Sequence, residues 1–382
     1  MPVTCLFLIN GLGLGNSTRC HAVIQQLAGM GCRVHVLTSG NGLAYFQNRD
    51  CIESLTEMES FYYSGTGRGI SGWSTLKSVM SLARLAKAKR KRLARLLDEL
   101  NPDVAVIDSE YAISPLRRRH IPIVAINNSE VVVTEYLKRR KKAPGTHSQF
   151  WFIEFSDYLF HRRYADLVLS PFPRHTPTRH PKFRRIGLIV RPEVKQLATQ
   201  ISTKKILSPR QMRTVVFMLS GSIHASQVDF DGHQFPFKIE VVGRAGQSRG
   251  PVVFHGRQLN NAALLERADA FVINGGYSAV SESFALRKPT LVLPVPGHAE
   301  QFVNASLIED FGLGFAATEA NVLNRLMDLY QQDRWGDLRL PPPAFDIEGD
   351  REAAEAILAC MAARRPEISS GLQIPVQDRA KV

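Results

Sequence analysis

Two glycine-dense turns carry the residues with the clearest chemical potential. The first is Asn10-Gly11-Leu12-Gly13-Leu14-Gly15-Asn16-Ser17, which follows an apolar stretch and opens a helical pattern. Gly11, Gly13 and Gly15 let backbone approach a ligand closely, and the following helix start favours an anion or a polar oxygen. The second is Phe271-Val272-Ile273-Asn274-Gly275-Gly276-Tyr277-Ser278, with Glu282 one helical turn beyond Ser278. Backbone amides at Gly276 to Ser278 suit a diphosphate, and Glu282 on the same helix face suits ribose hydroxyls. Downstream, Pro296-Gly297-His298-Ala299-Glu300-Gln301 begins another helix. An acid and an amide side by side, Glu300 and Gln301, suit sugar hydroxyls. The competing reading of Glu300 is an acid complementing a helix dipole.

Other chemistries are disfavoured by spacing. A dinucleotide site wants G-x-G-x-x-G and an acid ending the second strand. Here the sixth position is Asn16, and the second strand ends Leu37-Thr38-Ser39-Gly40. No Walker A pattern occurs. The five cysteines show no C-x-x-C spacing, so cysteine-bound zinc is not expected and the thiols read as reduced and cytosolic. Asp229-Phe230-Asp231 is a D-x-D tripeptide of the kind that holds divalent metals elsewhere, but such tripeptides are common by chance and no metal site is assigned.

The elements that must position these turns follow a βαβα rhythm, which argues for parallel, doubly wound sheets. Strands are expected at Val3–Asn10, Arg33–Thr38, Val104–Asp108, Ile123–Asn127 and Leu167–Leu169. The rhythm breaks over Pro171–Arg191 and resumes with Thr214–Leu219, Lys238–Val242, Pro251–His255, Ala270–Asn274 and Pro289–Pro294. The expected organisation is an acceptor-side domain over 1–190 and a donor domain over 191–350, with a flexible tail over 365–382. Two such domains in tandem set the carboxyl ends of two sheets across one cleft, where open α/β sheets bind ligands. The glycine-rich stretch Ser64–Trp73 reads as an acceptor-side lid.

The net charge of +13 attracts polyanions. Basic residues cluster at Lys87–Arg92, Arg117–Arg119 and Lys138–Lys142, either as solvated faces or as an anion-facing surface. Phe150-Trp151-Phe152-Ile153-Glu154-Phe155 adds aromatics beside the last cluster. That combination suits peripheral binding to an anionic membrane face, against the alternative of a helix burying its aromatics. No nucleic-acid motif accompanies the charge, so nucleic acid is not expected as a partner. No apolar run is long enough to span a bilayer, and the N-terminus reads as a first strand, not a signal peptide.

The run Asn-Gly-Gly-Tyr-Ser-Ala-Val-Ser-Glu over 274–282, then Lys-Pro-Thr-Leu-Val-Leu-Pro over 288–294, Glu300-Gln301 and Asn304-Ala305, resembles the donor signature of GT-B glycosyltransferases. It is most similar to the family 28 type, which includes the lipid-II-forming N-acetylglucosaminyltransferase, and the superfamily also holds UDP-glucuronosyltransferases. The similarity extends, in order, over nearly the whole chain. It implies an α/β GT-B fold of two Rossmann-like domains facing across a cleft, with a C-terminal helix, 351–364, crossing back onto the first.

The implied reaction moves a hexose from a nucleoside diphosphate, UDP, to an acceptor hydroxyl with inversion and without metal or other cofactor. The acceptor would be lipid-linked or anionic. Gly275, Gly276, Ser278 and Ser220-Gly221-Ser222 would hold phosphates, with Arg191 approaching the diphosphate. Phe254, His255 and Gly256 would line the base through backbone groups, Glu282 would bind ribose, and Glu300 and Gln301 the sugar. Relatives place a basic His where this chain has Asn16, and an amide accepts no proton at neutral pH. Asp108 and Glu110, ending a strand at the cleft, are the expected substitutes, and Asp108 is preferred. His21, a turn into the first helix, reads as scaffold. A nucleotide-sugar hydrolase, an epimerase and a non-catalytic nucleotide-sugar-binding protein remain rival readings.

Overall fold

The computed structural model describes residues 2–58, 72–201, 212–219, 228–258, 260–331, 338 and 345–365. Two parallel sheets organise the chain. The first contains β1 (Thr4–Ile9), β2 (Arg33–Thr38), β3 (Ser54–Glu57), β4 (Val104–Asp108), β5 (Ile123–Ile126), β6 (Leu167–Pro171) and β7 (Phe183–Ile186), in spatial order β3-β2-β1-β4-β5-β6-β7. The second contains β8 (Thr214–Met218), β9 (Lys238–Val242), β10 (Val252–Phe254), β11 (Ala270–Ile273), β12 (Thr290–Val292) and β13 (Gly314–Ala316), in order β10-β9-β8-β11-β12-β13. Every ladder is parallel.

Both sheets reverse strand order beside their first strand, between β1 and β4 and between β8 and β11. A crevice opens at the carboxyl ends of such a pair because the flanking helices leave in opposite directions. The strands are apolar runs buried on both faces, as β4 shows over Val-Ala-Val-Ile. The segment expected to break the rhythm, Pro171–Arg191, contains β7, whose four residues pair with β6.

The helix Gly349–Arg364 packs on the first domain. Ala353, Ala354, Ile357 and Met361 join one apolar cluster with Cys5, Phe7, Val23 and Leu27. The small alanines let this helix lie close against the helix Leu14–Gly29. A second apolar cluster bridges the domains. Val132, Val133 and Tyr136 on the helix Ser129–Lys138 meet Val303 and Leu307 on the helix Ala299–Asp310, with Phe150 stacked on Tyr136 at 4.0 Å.

Phe150–Glu154 forms a π-helical turn between the helices Thr146–Gln149 and Phe155–Tyr164. The wide turn splits its side chains. Phe150 and Glu154 face inward, while Trp151, Phe152 and Ile153 stand 41%, 81% and 56% exposed. Ser64–Trp73 falls among residues that are not described or whose side chains are not. Residues 366–382 lie outside the described residues. Among the described residues no helix is long and apolar enough to cross a membrane.

Candidate functional site

The four loops leaving the two switch points face one another. A cleft of about 770 Å³ between the domains is lined by Asn10, Gly13, Gly15, Asn16, Arg19 and Ser109 on one side. Gly243, Asn261, Asn274, Gly276, Tyr277, Ser278, His298 and Glu300 line the other. The first loop is forced to be glycine at Gly11, because a Cβ there would stand 1.6 Å from the carbonyl oxygen of Ser39. Gly275 holds φ +70° at the end of β11, a conformation that other residues resist. Asn304 fixes that turn by donating to the Gly275 carbonyl at 2.9 Å.

The N-terminal turn of the helix Tyr277–Leu286 therefore points into the cleft. Ser278 Oγ donates across it to the Gly15 carbonyl at 3.1 Å. Glu300 also faces the opposite domain, accepting from Asn128 Nδ2 at 2.9 Å. Gln301 does not line the cleft. Its side chain turns back to accept from the Val295 amide at 2.9 Å, which secures the loop before its own helix.

Glu282 and Arg191 were expected to bind separate parts of a donor, and the structure joins them. Arg191 Nε donates to Glu282 Oε1 at 2.8 Å, and its Nη2 reaches Glu282 Oε2 at 3.3 Å and Asn261 Oδ1. Both side chains are buried, and of the three residues only Asn261 lines the cleft. Phe254 lines a different pocket, of about 650 Å³, together with Asp229 and Asp231. Gly256 spends its carbonyl on the Gly243 amide, and His255 lies 3.5 Å from Glu240. None of Phe254, His255 and Gly256 lines the interdomain cleft, whose donor-side lining includes Val242, Gly243, Gln258 and Asn261. Ser220, Gly221 and Ser222 lie outside the described residues. Of the connection over Ser222–Lys238, the described part, 228–237, contains no helix.

The two carboxylates expected to face the cleft are corrected most sharply. Asp108 is fully buried and gripped by Arg19, with Nη2 at 2.7 Å from Oδ1 and Nε at 3.0 Å from Oδ2. Cys20 and Ser109 also donate to it. Glu110 is buried against Lys89 Nζ at 2.7 Å and accepts from the amides of Tyr111 and Ala112. A strand end exposes backbone groups, but here each acid turns inward to a cation from a neighbouring helix. The cleft is left with Arg19, whose Nη2 also touches Asn16 Oδ1 at 3.4 Å. Burial opposes the charge of Arg19, and Asp108 more than restores it, so the guanidinium is held above its ordinary range. His21 is buried in the first domain beside Tyr45, and burial lowers its imidazole to about 4.

Two functional candidates escaped the sequence. Arg19 follows Asn16 by three residues on an otherwise unremarkable helix start. Glu154 lies on the π-turn, next to Ile153, which lines the cleft. Burial first, then the neighbouring Glu300 charge, pushes the Glu154 carboxyl up to about 8, against a hydrogen bond from Gln149 that pulls it down. Oxygens of Glu154 and Glu300 and a ring nitrogen of His298 lie within 4.8 Å of one another.

The profile of glycosyl transferase family 1 matches residues 3–330. An uncharacterised glycosyltransferase of Methanosarcina mazei is 22% identical over 337 residues, covering 81% of this chain and 85% of that protein. One from Methanosarcina acetivorans is 23% identical over 339 residues, covering 81% and 82%. Among solved structures, CalG4, the calicheamicin glycosyltransferase, superposes with a TM-score of 0.60 at 15% identity, covering 95% of this chain and 99% of that one. MurG of Acinetobacter baumannii gives 0.56 at 14% identity, covering 94% and 100%. SnogD of Streptomyces nogalater gives 0.55 at 15%, also covering 94% and 100%. With two switch-point crevices closing on one cleft and a family profile spanning both sheets, the chain belongs to glycosyl transferase family 1 and has the GT-B fold.

Proposed function

We propose that this glycosyltransferase takes a hexose from a uridine diphosphate donor and passes it, with inversion and without metal, to an acceptor hydroxyl. The observation that carries the reading is the start of the helix Tyr277–Leu286, set on the Gly275-Gly276 turn and aimed into the interdomain cleft. Free amides at a helix start neutralise a leaving diphosphate without a cation. Asn261, His298 and Glu300 all line this cleft, which supports Asn261 as a contact to the nucleoside and Glu300 and His298 as contacts to the sugar.

A thermal-shift panel of UDP, UDP-glucose, UDP-N-acetylglucosamine, UDP-glucuronate and the matching ADP, GDP and dTDP compounds tests this directly. A donor at 100 times its Kd should stabilise the protein by about 2.7 kcal/mol. The shift should be unchanged by EDTA. Stabilisation by purine nucleotides alone, or only with added manganese, would sink the donor assignment. Release of free sugar as the sole product even when acceptor hydroxyls are supplied, or of an epimerised donor, would favour hydrolase or epimerase chemistry instead.

The acceptor side supports a lipid-linked or anionic acceptor presented at an anionic membrane face. Phe152 and Ile153 are exposed neighbours on the π-turn, Leu12 and Ile153 line the cleft, and the basic run Lys138–Lys142 precedes the turn in sequence. Apolar side chains flanked by cations favour an anionic interface. The protein should therefore sediment with vesicles containing phosphatidylglycerol and not with pure phosphatidylcholine. Phe152→Glu should lower the bound fraction several-fold while leaving donor binding intact. Equal sedimentation of the variant would remove this surface from the reading.

A further inference from the structure

Transfer to a hydroxyl needs somewhere for its proton to go, and the expected acceptors are occupied. Asp108 neutralises Arg19, Glu110 neutralises Lys89, and Asn16 is an amide. Glu154 is different. It reaches from the first domain to the donor-side residues His298 and Glu300, both of which line the cleft. Its Oε1 accepts from Gln149 Nε2 at 2.8 Å, and Gln149 Oε1 in turn accepts from the Ala299 amide at 2.8 Å. The carboxyl group is thus fixed against the start of the helix that carries Glu300, and among the described residues no Lys or Arg pairs with it. His298 Nδ1 is buried without a hydrogen-bond partner among the described residues. π-Turns of this kind concentrate at functional sites because they interrupt a helix to aim one side chain.

We propose that Glu154 is the general base of the transfer. Its carboxylate takes the proton of the acceptor hydroxyl while that oxygen bonds to the anomeric carbon of the donor sugar. The bond from that carbon to the diphosphate breaks, and its electron pair leaves with the diphosphate. The inference rests on the transfer reading above and adds the residue that the amide at Asn16 leaves missing.

The surroundings tune this group for the task. Glu300 and His298 face it from the donor domain, Gln149 from the preceding turn and Asp157 from the following helix. Asp157 is itself held by His161, Asn127 and Tyr111. A base is most effective when its affinity for protons lies near the working pH. Burial and the Glu300 charge bring Glu154 to about 8. Because the active form is the ionised one, rate should rise with pH up to about 8.

Two measurements decide the matter. In protein carrying glutamate labelled with ¹³C at Cδ, the Glu154 resonance should titrate near 8 and move to lower pH in Glu300→Gln. Titration in the ordinary carboxylate range overturns the proposal. Kinetically, UDP release with water as acceptor is followed from whichever panel donor binds. Glu154→Gln keeps the shape and the Gln149 contact, so donor affinity should stay within about twofold while release falls about 10²–10⁴-fold. The rise of rate towards pH 8 should vanish with it, which a merely structural role would not produce. Wild-type release by a variant that still binds donor refutes Glu154 and leaves the transfer reading standing. A wild-type protein that binds no nucleotide-sugar refutes the transfer reading and this proposal with it.

Discussion

Asp108→Asn is expected to destabilise the protein by about 3–5 kcal/mol, the usual consequence of stripping a buried charge of its partner. The side chain is fully buried, and its three partners, Arg19 and Cys20 on one helix turn and Ser109 just past its own strand, all donate to it. An asparagine there preserves shape and leaves the Arg19 guanidinium without a counter-charge. The same substitution would be nearly silent for stability if Asp108 were an open cleft carboxylate serving as base. Urea denaturation separates the two cases.

A paired change, Arg19→Met with Asp108→Asn, should recover most of the loss, because replacing a whole buried ion pair is often close to neutral. Arg19 also lines the cleft, so the double variant should still show altered donor kinetics. An Asp108→Asn protein within about 1 kcal/mol of wild type, but with turnover collapsed, would return Asp108 to the role of base.

What the sequence discloses here follows the range of the interactions involved. The glycine turns are local signals. Gly11 must be glycine for the approach of Ser39, and Gly275 for its backbone angle, so both loops are readable from neighbouring residues alone. The long apolar strands are readable for the same reason, whereas β3, β7 and β13 span only four, four and three residues and carry no alternation of their own. Asp108 looks like a base because its strand end is legible, but Arg19, 89 residues away, decides its role. The Arg191–Glu282 pair spans 91 residues and is equally invisible in sequence. Glu154 was hidden for another reason. Its stretch reads as an aromatic surface segment, and only the extra residue in the π-turn rotates the acid inward while leaving Phe152 outside.

Glu282 should discriminate ribose from deoxyribose, and the buried pair sets how that must be measured. Arg191 engages both carboxylate oxygens at 2.8 and 3.3 Å, but each oxygen of an ionised carboxylate has a second lone pair with which to accept a ribose hydroxyl. Glu282→Ala would therefore do two things at once. It would leave Arg191 buried and unpaired, costing about 3–5 kcal/mol of stability, and it would weaken UDP binding by about 1.5–3 kcal/mol, the worth of hydrogen bonds to a charged group. Loss of affinity in that variant alone could reflect a disturbed Arg191. The 2′-deoxy nucleotide separates the effects. Wild-type protein should bind UDP more tightly than dUDP, and Glu282→Gln, which keeps the volume and one acceptor for Arg191, should erase most of that difference while remaining folded. Calorimetry of both nucleotides against both proteins gives the coupling directly. If the UDP-to-dUDP ratio is the same in Glu282→Gln as in wild type, Glu282 serves only to hold Arg191 and Asn261 in place, and the ribose is read by another group.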